Sequence, residues 1–405
     1  MGAADVPELA SSLSACDAVT ADQRNPRGTR TLFYFCNVGW FFISHRLALA
    51  RTAQEHGYDV HVVCDIEDER EVVQIEAAGL HFHRVRLSRG GLNPLSDLVT
   101  LLRTVALLLI HRPEVLHNVT IKPVLYGSIA ARIARTRRVV NAISGLGYLF
   151  IDEKRSGFAL RLVRYIYRFA MSGRAVRVIF QNEDDRKEFL SLGFVKPSQT
   201  VLIAGSGVDL ARYRHVPEAE SGPLRVVLPA RMLADKGVHE FAEAARLLRS
   251  QGVSADFLLA GSLDPSNRAA LTARQVAELE VRCGVKWLEH IEDMPALLEA
   301  AHIVCLPSYR EGLPKALIEG CAVGRPIVTT DVPGCRAVVR HGVNGILVPV
   351  RSVNELAAAL GQLLADRSMR CLMGLRARAI AEEEYDVRKV IEATMDLYKQ
   401  PVAAG

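Results

Sequence analysis

Short apolar runs alternate with helical patterns along almost the whole of this chain, and few sequence features restrict a fold more. Strands that alternate with helices are joined by crossovers, and crossovers lead to parallel sheets covered on both faces. In the first half the strand candidates are Thr31–Cys36, Val60–Cys64, His81–Val85, Val115–His117, Val139–Ile143, Val176–Phe180 and Thr200–Ile203. A second series runs through Leu224–Leu228, Asp256–Ala260, Val285–Leu288, Ile303–Leu306, Pro326–Thr329 and Gly345–Val348. Helical patterns fill the gaps, such as His45 to His56, which closes at Gly57, a natural carboxyl-terminal stop. At 405 residues and 49% hydrophobic content the chain can bury two cores, since single cores tend to divide beyond roughly 250 to 300 residues. The expected fold class is therefore α/β, with two Rossmann-like doubly wound domains facing a cleft. Residues 1–30 read as a loose extension, 31–205 as the first domain and 206–386 as the second, with the polar stretch Gly205 to Pro223 as linker.

The chemistry concentrates where strands give way to helices. Ser308-Tyr-Arg-Glu-Gly-Leu-Pro-Lys-Ala-Leu-Ile-Glu319 follows the strand at Ile303–Leu306, which puts Glu311, Gly312 and Leu313 in a turn and Glu319 on the helix behind it. Pro314 suits the first helical position, where its missing N–H costs nothing. The free N–H groups of such a terminus, with the positive end of the helix dipole behind them, favour phosphate. Each carboxylate can accept two hydrogen bonds from a vicinal diol. Arg231 and Lys236 flank a turn at the end of the Leu224–Leu228 strand, and two fixed cations there suit a diphosphate that gains charge as it leaves. Gly39 and Gly261 stand at two further strand ends, where a glycine lets backbone approach phosphate or sugar. His117 ends a first-domain strand, and Lys122 lies just before a helix opening at Pro123.

The Glu311/Glu319 spacing resembles the Glu-x7-Glu signature of the retaining glycosyltransferases of family 4, which adopt the GT-B architecture. That resemblance implies that Glu311 contacts the transferred sugar and Glu319 the donor ribose, that Arg231 and Lys236 hold the donor diphosphate, and that His117 meets the sugar near the reacting centre. It also implies a base contact from the backbone at Ile291 and a terminal helix, 387–399, crossing back onto the first domain. His117-Asn-Val-Thr-Ile-Lys-Pro123, with Asn141-Ala-Ile-Ser-Gly-Leu-Gly-Tyr148, resembles a subgroup that extends glycans on undecaprenyl diphosphate in bacterial surface-polysaccharide or glycan assembly. Lys122 and Tyr148 are the acceptor candidates. The implied reaction is transfer of a hexose or N-acetylhexosamine, with retention, from a nucleotide-sugar donor, a UDP-sugar by expectation, to a lipid-linked saccharide. A sugar-nucleotide epimerase on the same fold and an inactive nucleotide-binding scaffold are the alternatives.

Other classes are disfavoured. The net charge of +5 is too mild to argue for nucleic acid, and a lone Gly39 is not a dinucleotide fingerprint. The eight cysteines form no Cys-x2-Cys pair and read as reduced core thiols of a cytosolic protein. No Asp-x-Asp motif sits at a strand end, since Asp184 and Asp185 fall on an expected helix; no metal and no cofactor is expected. The first thirty residues lack an apolar signal core, and the longest apolar stretch, Leu98 to Ile110, is interrupted by Arg103 and is too short to span a bilayer, which takes roughly 18 residues or more. Arg161, Arg164 and Arg168 share one face of an expected helix with apolar neighbours, a pattern suited to anionic lipid. The location expected is the inner face of the cytoplasmic membrane, with the chain peripherally bound through that basic helix.

Overall fold

A computed structural model describes residues 30–87, 94–145 and 158–400. The first half runs β1 (Arg30–Val38), α1 (Gly39–Glu55), β2 (Tyr58–Asp65), α2 (Glu69–Ala77), β3 (His81–Arg84), α3 (Pro94–His111) and β4 (Val115–Val119). It continues with α4 (Ile121–Ala134), β5 (Arg138–Ile143), α5 (Phe158–Met171), β6 (Val176–Phe180), α6 (Glu183–Ser191) and β7 (Thr200–Leu202). The second half begins with β8 (Leu224–Pro229), α7 (Val238–Ser250), β9 (Ala255–Ala260), α8 (Ala273–Cys283), β10 (Lys286–Trp287), α9 (Met294–Glu299) and β11 (Ile303–Leu306). It closes with α10 (Lys315–Ala322), β12 (Ile327–Thr330), α11 (Pro333–Val338), β13 (Gly345–Val348), α12 (Val353–Ala365), α13 (Arg367–Glu384) and α14 (Val387–Lys399).

The strands form two sheets, ordered β3-β2-β1-β4-β5-β6-β7 and β10-β9-β8-β11-β12-β13, with every recorded pairing parallel. Both faces of each sheet are covered, so their strands read as continuous apolar runs. In β1, Leu32, Tyr34 and Cys36 enter one core and Phe33 and Phe35 the other, the period of two that a strand imposes. Val226 and Leu228 of β8 divide from Val227 in the same way. The terminal helix α14 lies against the first sheet, where Val390, Met395, Leu397 and Tyr398 complete the core of Leu32 and Tyr34.

Strand order reverses between β1 and β4 in the first sheet and between β8 and β11 in the second. Open α/β sheets bind ligands beyond the carboxyl ends of strands at such a switch. Gly39 follows β1, Arg231 follows β8, and the Glu311 turn follows β11, so these candidate residues lie at the switch points. Among the described residues no helix is long and apolar enough to cross a membrane, and the described cysteines are free, all buried except Cys371.

Candidate active site

The turn after β11 is tied to the loop after β8. Ser308 Oγ donates to the Asp235 carbonyl at 3.0 Å and the Tyr309 N–H to the same oxygen at 2.9 Å. Gly237 makes the approach possible: its φ is +72°, and a Cβ there would lie 2.2 Å from the Pro307 carbonyl oxygen. With the loops so joined, Lys236 Nζ meets Glu311 Oε1 at 2.5 Å, the two side chains 20% and 12% exposed. Arg231 pairs with Asp264, and its guanidinium carbon lies 5.3 Å from the ring of Trp40, at the start of α1 in the first domain. Behind Glu311, α10 starts at Lys315 with no side-chain cap. Pro314 is its N-cap, one position before the expected one. One turn in, Glu319 accepts from the Tyr213 hydroxyl at 2.7 Å, and burial pushes its carboxyl above the usual carboxylate range.

The first domain closes over this assembly. Asn182 Nδ2 donates to the Gly312 carbonyl at 2.7 Å, Lys315 Nζ to the Ser44 carbonyl at 2.8 Å, and Arg336 pairs with Asp184 at 3.2 Å. Gly312 is pressed against Ser144, whose carbonyl carbon would lie 2.6 Å from any Cβ. The turn thus abuts both domains.

Two models of known families cover most of the chain. Residues 31–182 match the model described as glycosyl transferase 4-like, and residues 223–366 the one described as glycosyl transferases group 1. The chain belongs to the family 4 glycosyltransferases. A relative from Campylobacter jejuni, N,N'-diacetylbacillosaminyl-diphospho-undecaprenol alpha-1,3-N-acetylgalactosaminyltransferase, is 25% identical over 384 residues, covering 89% of this chain and 98% of the relative. An Escherichia coli relative, UDP-Gal:alpha-D-GlcNAc-diphosphoundecaprenol alpha-1,3-galactosyltransferase, is 23% identical over 318 residues, 75% of this chain and 80% of its own. Among solved structures, Anabaena HepE in complex with UDP and glucose shares the fold at a TM-score of 0.74 and 21% identity, covering 91% of this chain and 99% of HepE.

Within this glycosyltransferase several expected residues stand differently from their sequence-based placement. His117 is not at the strand end, because β4 continues to Val119. The alternation of β4 puts His117 on the face of Val115 and Val119, against α14, where it is 1% exposed and its Nδ1 lies 2.5 Å from the Tyr398 hydroxyl. Burial, with Arg46 nearby, holds its imidazole neutral, well below the ordinary range, and its Nε2 is buried with no hydrogen-bond partner among the described residues. Gly261 makes room for the neighbouring strand end, since a Cβ there would lie 2.1 Å from the Ala230 carbonyl oxygen. Gly39 opens α1 itself, and a Cβ would meet Glu71 Oε2 at 2.5 Å. The Glu71 carboxylate accepts from the Trp40 N–H, so an internal anion already faces that helix terminus. Lys122 pairs with Asp97 of α3 at 3.2 Å. Ile291 lies half-buried in the loop after β10. Tyr148 lies outside the described residues, as do the side chains of Arg161 and Arg164, while Arg168 is exposed on α5.

Two further residues near the carboxyl ends of the first-domain strands escape sequence reasoning. His45 on α1 is near Lys315, Arg46 and Arg231; burial, reinforced by these cations, pushes its imidazole down to about 3. Thr120, at the true end of β4, has φ +74° and ψ 166°, a region that only glycine adopts easily, and its hydroxyl is buried with no partner among the described residues. The one available signal was the pairing of His45 with Arg46 after an aromatic run. A cavity of about 870 Å³, lined by Arg30, Arg112, Glu114 and Arg135 among others, opens at the amino-terminal end of the first sheet and shares no residue with this site.

Proposed function

We propose that this enzyme transfers a hexose or N-acetylhexosamine, with retention, from a UDP-sugar to a polyprenyl-diphosphate-linked saccharide at a membrane surface. The carrying observation is the ion pair of Lys236 with Glu311 just before the uncapped start of α10, with Arg231 beyond the end of the neighbouring strand β8. Charge develops on the diphosphate as the glycosidic bond to the donor breaks, and preorganised cations and helix amides stabilise it there without reorganisation. In this scheme Arg231, Lys236 and the first turn of α10 hold the diphosphate without a metal ion. Glu319 receives the ribose hydroxyls in place of the Tyr213 hydroxyl, Ile291 borders the base, and Glu311 orients the sugar. The acceptor hydroxyl attacks the same face that the leaving group vacates, and its proton passes to the departing phosphate. His117 supports the floor of the site through Tyr398, while Thr120 and His45 face the donor.

The acceptor class is supported by the printed activities of the Campylobacter and Escherichia relatives, and the UDP donor by the latter's name and the HepE complex. A membrane-facing surface is supported by α3 more than by α5. Leu95, Leu98, Val99, Leu102, Leu109 and Ile110 are each 44–77% exposed, and at helical spacing they share one outward face. Tyr165, Arg168 and Phe169 of α5 add an exposed aromatic and basic edge.

Incubating the purified enzyme with a panel of UDP- and GDP-sugars and polyprenyl-diphosphate saccharides tests the scheme. Lys236→Ala and Glu311→Ala are each expected to lower kcat by about 100-fold or more, with no epimerised sugar nucleotide formed when acceptor is omitted. Undiminished transfer by both variants would overturn the assignment.

A further inference from the structure

Four histidines gather at the edge of the first sheet, toward the amino-terminal ends of its strands and away from the cleft. His61 comes from β2, His81 and His83 from β3, and His111 from the last turn of α3, which returns to that end of the sheet. Parallel pairing sets His61 beside His81 and Val63 beside His83. Phe33 roofs the group, its ring stacked on His61 at 4.6 Å and 9°.

The proton positions follow from the partners. His61 Nε2 lies 3.2 Å from Asp59 Oδ2, and the other oxygen of that carboxylate lies 3.0 Å from His81 Nε2. A carboxylate only accepts, so it draws the His61 proton to Nε2 and leaves a lone pair on Nδ1. That lone pair points at His83 Nε2, 2.8 Å away, the two rings nearly coplanar at 7°. The His111 ring stands 4.8 Å from that of His61 and 5.2 Å from that of His83, turned by 55° and 61°. One ring nitrogen from each of these three histidines lies within 4.8 Å of the others. A tetrahedral ion with bonds of about 2.0–2.1 Å to nitrogen spaces its ligand atoms about 3.3 Å apart, so an ion that took both nitrogens would part the 2.8 Å contact of His61 and His83 by about half an ångström and turn their lone pairs toward a common point.

We propose that His61, His83 and His111 form a three-histidine site for a divalent ion of the zinc class, with Asp59 as the outer carboxylate that orients His61. Imidazole donors suit zinc, copper, nickel and cobalt, and a ligating histidine whose second N–H goes to a carboxylate is the common outer arrangement of zinc sites. Burial keeps the rings in the neutral form that binds metal: it lowers His61 to about 4, His83 to about 3, and His111 below its ordinary value. The overlapping set of Asp59, His61 and His81 is the weaker cage, because His81 is half exposed and Asp59 is already shared between two rings. An ion here would pin the end of α3 to the sheet edge, a structural role independent of sugar transfer.

The test uses the untagged full chain, stripped with a chelator and titrated with Co²⁺. One ion per chain is expected, with the intense visible bands of a four-coordinate site, abolished by one equivalent of Zn²⁺, and a rise in Tm on adding zinc. The double variant His83→Gln/His111→Gln should lose the bands and the Tm rise while still binding UDP. Asp59→Asn, which leaves all three ligands in place, should retain one-to-one binding at about 10- to 100-fold lower affinity. Absence of four-coordinate bands in the native chain, or an undiminished one-to-one site in either mutant protein, would overturn the proposal.

Discussion

Glu319, the ribose contact of the proposed scheme, is a carboxylate whose burial works against stability. Its carboxyl is almost enclosed, and burial raises its pKa against the opposing pull of Lys315 and the Tyr213 hydroxyl. An acid raised in the folded state binds protons more readily there than when unfolded, so the native state is favoured at low pH and loses that advantage as pH rises through the folded pKa. Glu319→Gln should therefore leave Tm at pH 7.5 unchanged or about 2–4 °C higher, with the difference from the native enzyme vanishing near pH 4. The same variant should raise KM for the donor at least about tenfold, because an amide offers one acceptor where the carboxylate offers two. A lower Tm together with an unchanged KM would contradict both halves. At this scale the sequence was partly legible. Arg231, Lys236 and Glu311 could be placed beyond strand ends, and Glu319 on the helix behind, because each follows a strand in an unbroken local pattern. The environment of His117 was not, since enclosure by Tyr398 comes from a helix 281 residues away, and the constraints on Gly39 and Gly261 come from Glu71 and Ala230, which no local pattern reveals.

Elements were the most readable level, for a physical reason. A strand buried on both faces is a short unbroken apolar run, and each expected strand lies within about two residues of an observed one. Helix α1 was expected to begin at His45 and begins at Gly39. Trp40 to Ile43 carries no helix-start signal, and the terminus has no side-chain cap of its own because the Glu71 carboxylate of α2 is supplied from elsewhere. Helix α3 was noticed only as an apolar stretch too short to span a bilayer; its three-dimensional setting makes it an outward apolar face. Leu98→Ser/Leu102→Ser is expected to cut sedimentation with anionic vesicles several-fold while leaving Tm within about 2 °C, since both side chains are more than half exposed. Vesicle binding that survives this change but is lost in high salt would return the role to the basic edge of α5.

For the whole molecule, the informative element is α14. Val390, Met395, Leu397 and Tyr398 are each no more than 5% exposed and sit in the core of the first domain, and each buried side chain of this size contributes about 1.5–3 kcal/mol. Removing residues 387–405 should therefore cost several kcal/mol, a large share of the 5–15 kcal/mol that holds a domain folded. Loss of the cooperative thermal transition of the first domain, with the second still melting, is the expected calorimetric result; a shortened chain that melts like the native one would contradict it. The connection also bears on the order of synthesis. Domains usually fold from the amino terminus as the chain leaves the ribosome, yet here the segment that finishes the first core is translated after the entire second domain. The part of the enzyme made first is thus completed last, and until then the face of Leu32, Tyr34 and His117 waits uncovered, a period in which a chaperone would find its substrate.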